Sequence, residues 1–371
     1  MAKNILITHV HMNTGGIETS LVNMLNSLPK EIYNIDLVLY YPVGDLLNLL
    51  PSWVNVIPVW NINNANDLKL KKIILSRSIK NRIVKNILLN KHTVKKYIPN
   101  KHYDVSIAYS GYFEFTDLIA GYANADKKYI WSHADFYTQC QIDKNFRKKF
   151  KKIKANYQLF TKVICVSSFA KDNLKKLLNN KIDVDFLWNL NMLREIKKEE
   201  DIKLDGTFNI VTISRLYKYK GIERLINAAK LINKPFKLYI LGDGPYMKKY
   251  RQMVIKNNLE KNVIFTGNVS NVFNVLKQAD LYVSASDAEG LSNVIIESLI
   301  SKVPVISTPT SGAKEIFTYI APKESVKLAD DFNYKSLANA INTSNLTKSF
   351  MFNIENINKK ILDKLENELL N

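Results

Sequence analysis

Cysteine is nearly absent: Cys140 and Cys165 are the only two in 371 residues, which leaves neither a disulfide framework nor a zinc spacing. Both read as packing residues. No stretch approaches 18 uncharged apolar residues, so no membrane-spanning helix is expected. The opening MAKNILITHV has no apolar run leading to a small-residue cleavage site, and the expectation is a cytoplasmic protein. Low-complexity tracts and short repeats are missing as well. Acidic residues are scarce, 34 against 53 lysines and arginines, for a net charge of +19. The imbalance is concentrated: residues 1–190 hold 27 basic and 14 acidic side chains, or +13, leaving +6 for the rest. Eleven lysines and arginines lie between Asp67 and Asp104 with no carboxylate among them, and KNFRKKFKKIK follows at 144–154. Such clusters point to a polyanionic partner.

The chain has ample apolar content, 46% of residues, for a core in each of two domains. Short aliphatic runs alternate with helix-period segments throughout. Strands are expected at 3–8, 34–41, 54–59, 103–109, 127–131, 161–166 and 182–187, then at 208–213, 236–241, 262–266, 280–285 and 303–307. Helical patterns at 16–28, 113–123, 145–159 and 169–178 fall between some of the first set. Those near 221–233, 246–258, 270–278, 292–302 and 312–318 separate the second. Continuous aliphatic strands separated by helices predict parallel sheets covered on both faces, hence an α/β chain of two doubly wound, Rossmann-like units. The charged stretch 194–206 reads as the joint. In such sheets ligands bind outside the carboxyl ends of the strands, so the loops there are the place to search.

Three of those loops carry chemistry. After the first strand, Gly15 and Gly16 end a loop and begin a helix, where backbone amides can approach an anion or a sugar closely; a plain tight turn reads equally well. The fingerprint GxGxxG is absent there, which argues against a nicotinamide enzyme. After strand 208–213, SRLYKYKG presents Arg215 and Lys220, a fixed fork and a flexible ammonium suited to a diphosphate. The third loop is SDAEGLSNVIIE at 286–297. Here Ser292 is expected to start a helix from Asn293 to Lys302 that is apolar over most of its circumference, and Glu297 lies on its narrow polar stripe with Asn293 and Ser301. A carboxylate so placed needs hydrogen-bond partners, either a lysine or water, or a pair of ligand hydroxyls. Glu289, on the preceding loop, could receive another part of the same ligand.

These pieces, with LGDGP at 241–245, FTGNV at 265–269 and the run 279–316, resemble the retaining GT-B glycosyltransferases, the large E-x7-E family known as glycosyl transferases group 1, in the family's order over nearly the whole chain. The resemblance implies two Rossmann-like domains facing a central cleft: an acceptor-side domain at 1–190, a donor-binding domain at 191–350, and a helix at 351–371 crossing back to the first. It implies transfer of a sugar from a nucleotide diphosphate, UDP favoured, to a hydroxyl of a saccharide acceptor, with retained configuration and neither metal nor cofactor. In similar enzymes the matches of Arg215 and Lys220 hold the diphosphate, that of Glu297 the ribose hydroxyls, and that of Glu289 a hydroxyl of the transferred sugar. Gly290, Leu291, Ser292 and Asn293 line the donor site, together with Gly242 and Val269. Gly15 and Gly16 approach donor or acceptor from the other domain, and His133 resembles the histidine that contacts the donor sugar. Ser292 departs from the proline common at its position.

The sequence holds one DxD, Asp183-Val184-Asp185, in a strand-like run remote from the other motifs, and it is read as chance rather than a metal site. His9 and His11, alternating at a strand end, lack a third ligand in the sequence. A basic nucleic-acid-binding protein would need aromatics interleaved with the cations, and residues 68–102 hold only Tyr97. A nucleotide-sugar epimerase on the same architecture is disfavoured by the ordered donor motifs. The mixed basic and aliphatic segment 68–102 is expected to meet an anionic membrane surface, the alternative being a solvated helix whose apolar face packs on the first domain; membrane contact suits a lipid-linked acceptor of cell-surface polysaccharide synthesis and a peripheral position at the inner face of the membrane.

Overall fold

The computed structural model describes residues 2–60, 94–179, 181–192, 202–205, 207–269 and 271–371. Most of the basic segment 68–102 and of the expected joint 194–206 therefore lies outside the described residues. The chain divides into two compact units, Met1–Leu190 with Lys360–Asn371, and Asn191–Lys359.

In the first unit the described strands form a parallel sheet in the order β3-β2-β1-β4-β5-β6-β7. These are β1 (Lys3–His9), β2 (Tyr33–Leu39), β3 (Asn55–Pro58), β4 (Tyr103–Ala108), β5 (Ala125–Ser132), β6 (Lys162–Cys165) and β7 (Val184–Phe186). The connections include α1 (Gly16–Ser27), α2 (Glu114–Tyr122), α3 (Phe136–Ile142), α4 (Lys144–Ile153) and α5 (Ser168–Leu178). Ile5, Leu6 and Ile7 in succession are essentially unexposed, as expected for a central strand covered on both faces. The last residues pack here too: Lys3 Nζ donates to Asn371 Oδ1 at 2.9 Å. The carboxylates of the DxD go to separate lysines, Asp183 to Lys162 at 3.3 Å and Asp185 to Lys364 at 3.5 Å.

The second unit repeats the plan in the order β10-β9-β8-β11-β12-β13. Its strands are β8 (Asn209–Ile213), β9 (Lys237–Leu241), β10 (Val263–Gly267), β11 (Leu281–Ser284), β12 (Val305–Ser307) and β13 (Val326–Leu328). They alternate with α6 (Ile222–Ala229), α7 (Met247–Lys256), α8 (Val272–Leu276), α9 (Asn293–Ile300), α10 (Ser311–Glu315) and α11 (Tyr334–Asn342), and α12 (Ile354–Lys364) follows. α6 turns Ile222, Leu225, Ile226 and Ala229 into the core with Leu238, Ile240, Leu281 and Val283 of the sheet. In each sheet the strand order reverses at one place, between β1 and β4 in the first and between β8 and β11 in the second. The loops leaving those strand ends diverge to opposite sides and leave a crevice.

Candidate active site

In the second unit the crevice is bordered by the loops after β8 and β11, where the sequence places Arg215, Lys220 and Glu289. The β8 loop is set by its neighbour. Gly242 follows β9 at φ +119°, a backbone that L side chains rarely adopt, and a Cβ there would collide with the Ser214 carbonyl. Leu216 N then donates to Asp243 O at 2.8 Å, and Gly242 N to Gly267 O at 2.7 Å, so the loops after β8, β9 and β10 are tied in a row. Val269 is half-buried just beyond.

Arg215 projects from this platform as an exposed side chain. Lys220 closes a single tight turn, Lys218–Lys220, and Gly221 follows in the left-handed region at φ +66° with no room for a Cβ against the Ala285 carbonyl. The backbone of the β8 loop is thereby pressed onto the start of the β11 loop. Lys220 Nζ pairs with Glu289 Oε1 at 2.6 Å, each side chain 17% exposed, and Ser286 Oγ donates to the same oxygen at 2.8 Å. The cation and carboxylate expected to receive different parts of one ligand thus hold each other.

A residue the sequence reading missed, Arg224 on α6, locks this junction. It donates to the carbonyls of Ala285 and Phe332 and to Asp287 Oδ1, the last at 2.6 Å, while Asp287 N donates to Tyr219 O at 2.8 Å. From the far side Thr308 Oγ1 donates to Ser286 O at 2.6 Å and Gly312 N to Glu289 O at 3.0 Å. No spacing in the sequence marks Arg224; only the fold brings it under residues 285–287.

The helix after this loop is α9, two residues shorter than expected. Ser292 stands at its N-cap in extended backbone, but its hydroxyl accepts no hydrogen bond from the first turn, so it starts the helix without capping it. Gly290, Leu291, Ser292 and Asn293 are buried along this approach. Glu297 is half-buried one turn on. Glu289 and Glu297 both raise the hydroxyl pKa of buried Tyr282 on β11, on top of the effect of its burial, which brings the two carboxylates to one buried neighbourhood.

The first unit's crevice, at the ends of β1 and β4, is built from single residues. His9 Nε2 meets Glu18 Oε1 at 3.3 Å and His11 Nδ1 meets the same oxygen at 3.5 Å, while Ser110 Oγ lies 2.8 Å from His9 Nδ1. The two alternating histidines therefore converge on a carboxylate that the sequence reading did not connect with them. Glu18 lies in the first turn of α1, three residues after Gly15, and curls back so closely that a Cβ on Gly15 would strike its Oε2. Burial would raise its pKa, yet the hydrogen bond from His9 and the charges of His9 and His11 bring it below the ordinary value. The anion nearest Gly15 and Gly16 is thus the chain's own. His133, after β5, has its ring tilted against that of Tyr109 at 4.6 Å, with both ring nitrogens buried. Burial, then the charge of His9, pushes its pKa down to about 3, so it stands neutral.

Two doubly wound parallel-sheet units, each with its switch point lined by polar side chains, define the GT-B fold. Residues 193–345 match the family described as glycosyl transferases group 1, and this part of the chain is a group 1 glycosyltransferase domain. An uncharacterized glycosyltransferase of Methanocaldococcus jannaschii is 29% identical over 234 residues, 62% of this chain and 48% of that protein. An N-acetylgalactosamine-N,N'-diacetylbacillosaminyl-diphospho-undecaprenol 4-alpha-N-acetylgalactosaminyltransferase of Campylobacter jejuni is 33% identical over 166 residues, 43% of this chain and 45% of that one. The chain spans about half the length of these curated relatives. Anabaena HepE, solved with UDP-glucose, superposes with a TM-score of 0.67 at 17% identity, over 98% of this chain and 99% of its own.

Proposed function

We propose that this protein is a retaining glycosyltransferase that moves a sugar from a UDP-sugar to a hydroxyl of a lipid-linked saccharide in cell-surface polysaccharide synthesis. The observation that carries the reading is the pairing of Lys220 with Glu289 beside the exposed Arg215 at the switch point of the second sheet. When a glycosidic bond to a diphosphate breaks, negative charge grows on the leaving oxygens, and fixed cations there lower the barrier most. Arg215 supplies a guanidinium free to fork onto phosphate, and Lys220 an ammonium aimed by its carboxylate partner. Glu289, the partner of Lys220 in the resting protein, accepts a hydroxyl of the donor sugar, and Glu297 accepts those of the ribose. Neutral His133 contacts the sugar as donor or acceptor without adding charge.

The crystallised HepE complex holds UDP-glucose, and the Campylobacter relative's name specifies a diphospho-undecaprenol acceptor; both support the donor and acceptor classes proposed. With two cations on the diphosphate, transfer proceeds without a metal. The acceptor brings the enzyme to the inner membrane face as a peripheral protein, with no nucleic acid as partner. Incubating the protein with a panel of nucleotide sugars tests this: UDP release should occur with a UDP-sugar, persist in chelator, and give a product of unchanged anomeric configuration by proton NMR. Release only in added manganese, or an inverted product, would overturn the mechanism.

A further inference from the structure

The second crevice is charge-balanced where a site for an anion alone would be positive. Residues 214–224 carry four cations and one carboxylate, residues 285–297 carry three carboxylates and no cation, and the two stretches together are neutral. Asp287 is accounted for, since Arg224 Nη2 holds it at 2.6 Å. Glu289 is different. Its two side-chain hydrogen bonds among the described residues, from Lys220 Nζ at 2.6 Å and Ser286 Oγ at 2.8 Å, both go to Oε1. Two bonds on one oxygen fix the carboxylate and leave Oε2 open, and with the side chain 17% exposed a ligand can reach it.

When the bond between the sugar carbon and the diphosphate oxygen breaks, the oxygen keeps the electron pair, and a diphosphate diester becomes a free diphosphate. The terminal phosphate of that product ionises a second time near about 6, so above neutral pH the product carries about one more negative charge than the donor. A phosphate oxygen bonded to Lys220 Nζ lies within about 6 Å of Glu289 Oε1, close enough for this extra charge to be felt. Before transfer the glycosyl group stands at the carboxylate, offering it a hydroxyl and gathering positive charge as the bond breaks. After transfer nothing separates the two anions. We propose, on the basis of the transferase reading, that Glu289 makes the site prefer the sugar-bearing donor over its own product: it accepts a hydroxyl of the first, repels the bare terminal phosphate of the second, and so speeds release of UDP. The balance of the two stretches fits this role, with enough positive charge near the switch point for the donor's diphosphate and too little for the product's.

The test is calorimetry of the full chain at about pH 8 and low salt with UDP, UDP-glucose, UDP-galactose and UDP-N-acetylglucosamine, the sugar nucleotide bound most tightly serving as the donor probe. Glu289→Gln keeps the shape of the side chain and its bond from Ser286 but removes the charge, and should tighten UDP about tenfold. The donor should gain nothing, because it loses a charged hydrogen bond as it escapes the repulsion, so the ratio of the two Kd values moves about tenfold toward product. Glu289→Ala should tighten UDP equally and weaken the donor about tenfold. The UDP gain should shrink as salt rises to physiological levels. Asp287→Asn removes a charge from the same loop that Arg224 already neutralises, and should leave the ratio within about twofold. A carboxylate needed only to aim Lys220 would instead weaken UDP and donor together in both Glu289 variants; that result, or an unchanged UDP affinity, would overturn the discriminating role and leave the transferase reading in place. Wild-type protein that bound none of the four nucleotides would remove the reading and this role with it.

Discussion

The two crevices are made in different ways. In the second unit the side chains that matter lie in short runs after β8 and β11, and the loop backbones touch so closely that Gly221 and Gly242 tolerate no Cβ. In the first unit His9, His11, Glu18, Ser110 and His133 come from four separate stretches and are joined by side-chain hydrogen bonds and ring contacts. A site whose surface is backbone constrains the sequence at every position of a loop and leaves a run that can be read. A site of converging side chains leaves isolated letters.

If the second crevice is a charge-stabilising site, the largest effect should come from its cations. Lys220→Ala should lower turnover about 10²- to 10³-fold, with a smaller change in nucleotide affinity, because the charge is needed most as the leaving group forms. Steady-state rates of UDP release at saturating donor measure this. Lys220→Arg should restore part of the loss; an Ala variant with full turnover would return the Lys220–Glu289 pair to a purely structural role.

Backbone constraint itself is tested by Gly221→Ala. The added methyl meets the Ala285 carbonyl at a left-handed φ, and the combined strain should cost about 3 kcal/mol of stability in the second unit. Thermal melting followed by tryptophan-independent far-UV signal would show the shift. Gly15 in the first crevice should be less sensitive, since it has extended backbone and its nearest neighbour is a flexible carboxylate, whereas Gly111, beside Ser110, shares the left-handed φ and the backbone clash and should respond like Gly221.

Arg224 distinguishes loop anchoring from catalysis. Arg224→Ala removes the donor to Asp287 and to two carbonyls, and should weaken nucleotide binding about tenfold by loosening residues 285–289. Its turnover at saturation should fall far less than that of Lys220→Ala. Calorimetry with UDP gives the affinity, and loss confined to turnover would contradict the anchoring role.

Most of the architecture could be read beforehand because buried parallel strands are runs of Ile, Leu and Val, and each of the twelve expected strands has an observed counterpart within a few residues. β13 escaped notice because VKL is three residues long and half-buried. α3 was missed because FYTQCQI has neither helical nor strand periodicity and buries only Phe136 and Cys140. The helix expected over 145–159 ends at Ile153 and tightens over 154–159. That turn brings Tyr157 into the core, where its hydroxyl donates to Gly111 O at 3.0 Å, a tertiary demand no local pattern announces. The same limit hid Arg224 and the partnership of His9 with Glu18. Arg215, Lys220 and Glu289 were legible because they lie in loops at the carboxyl ends of strands.

The smallest expected effect belongs to the first unit, where two buried carboxylates respond to pH with opposite sign. Glu18 has a lowered pKa, so its stabilisation is present above its unfolded pKa and is lost as pH falls through the folded one. Asp117 on α2 is fully buried with no hydrogen-bond partner at either oxygen among the described residues; burial holds its pKa well above the ordinary value, against the nearby charge of Lys149. The folded state keeps this proton when the unfolded chain has released it, so Asp117 lowers stability progressively as pH rises from the unfolded pKa to the folded one. Asp117→Asn cannot ionise and should gain about 1 kcal/mol at pH 8, with a smaller gain at pH 5. Glu18→Gln should instead lose stability at pH 8 and less at pH 4. Urea unfolding of both variants at the three pH values checks the signs. A D117N gain that did not grow with pH would mean that the buried carboxyl has a partner in solution, and a Glu18→Gln loss that did not shrink in acid would remove the histidine-carboxylate cluster as a charged element of the first crevice.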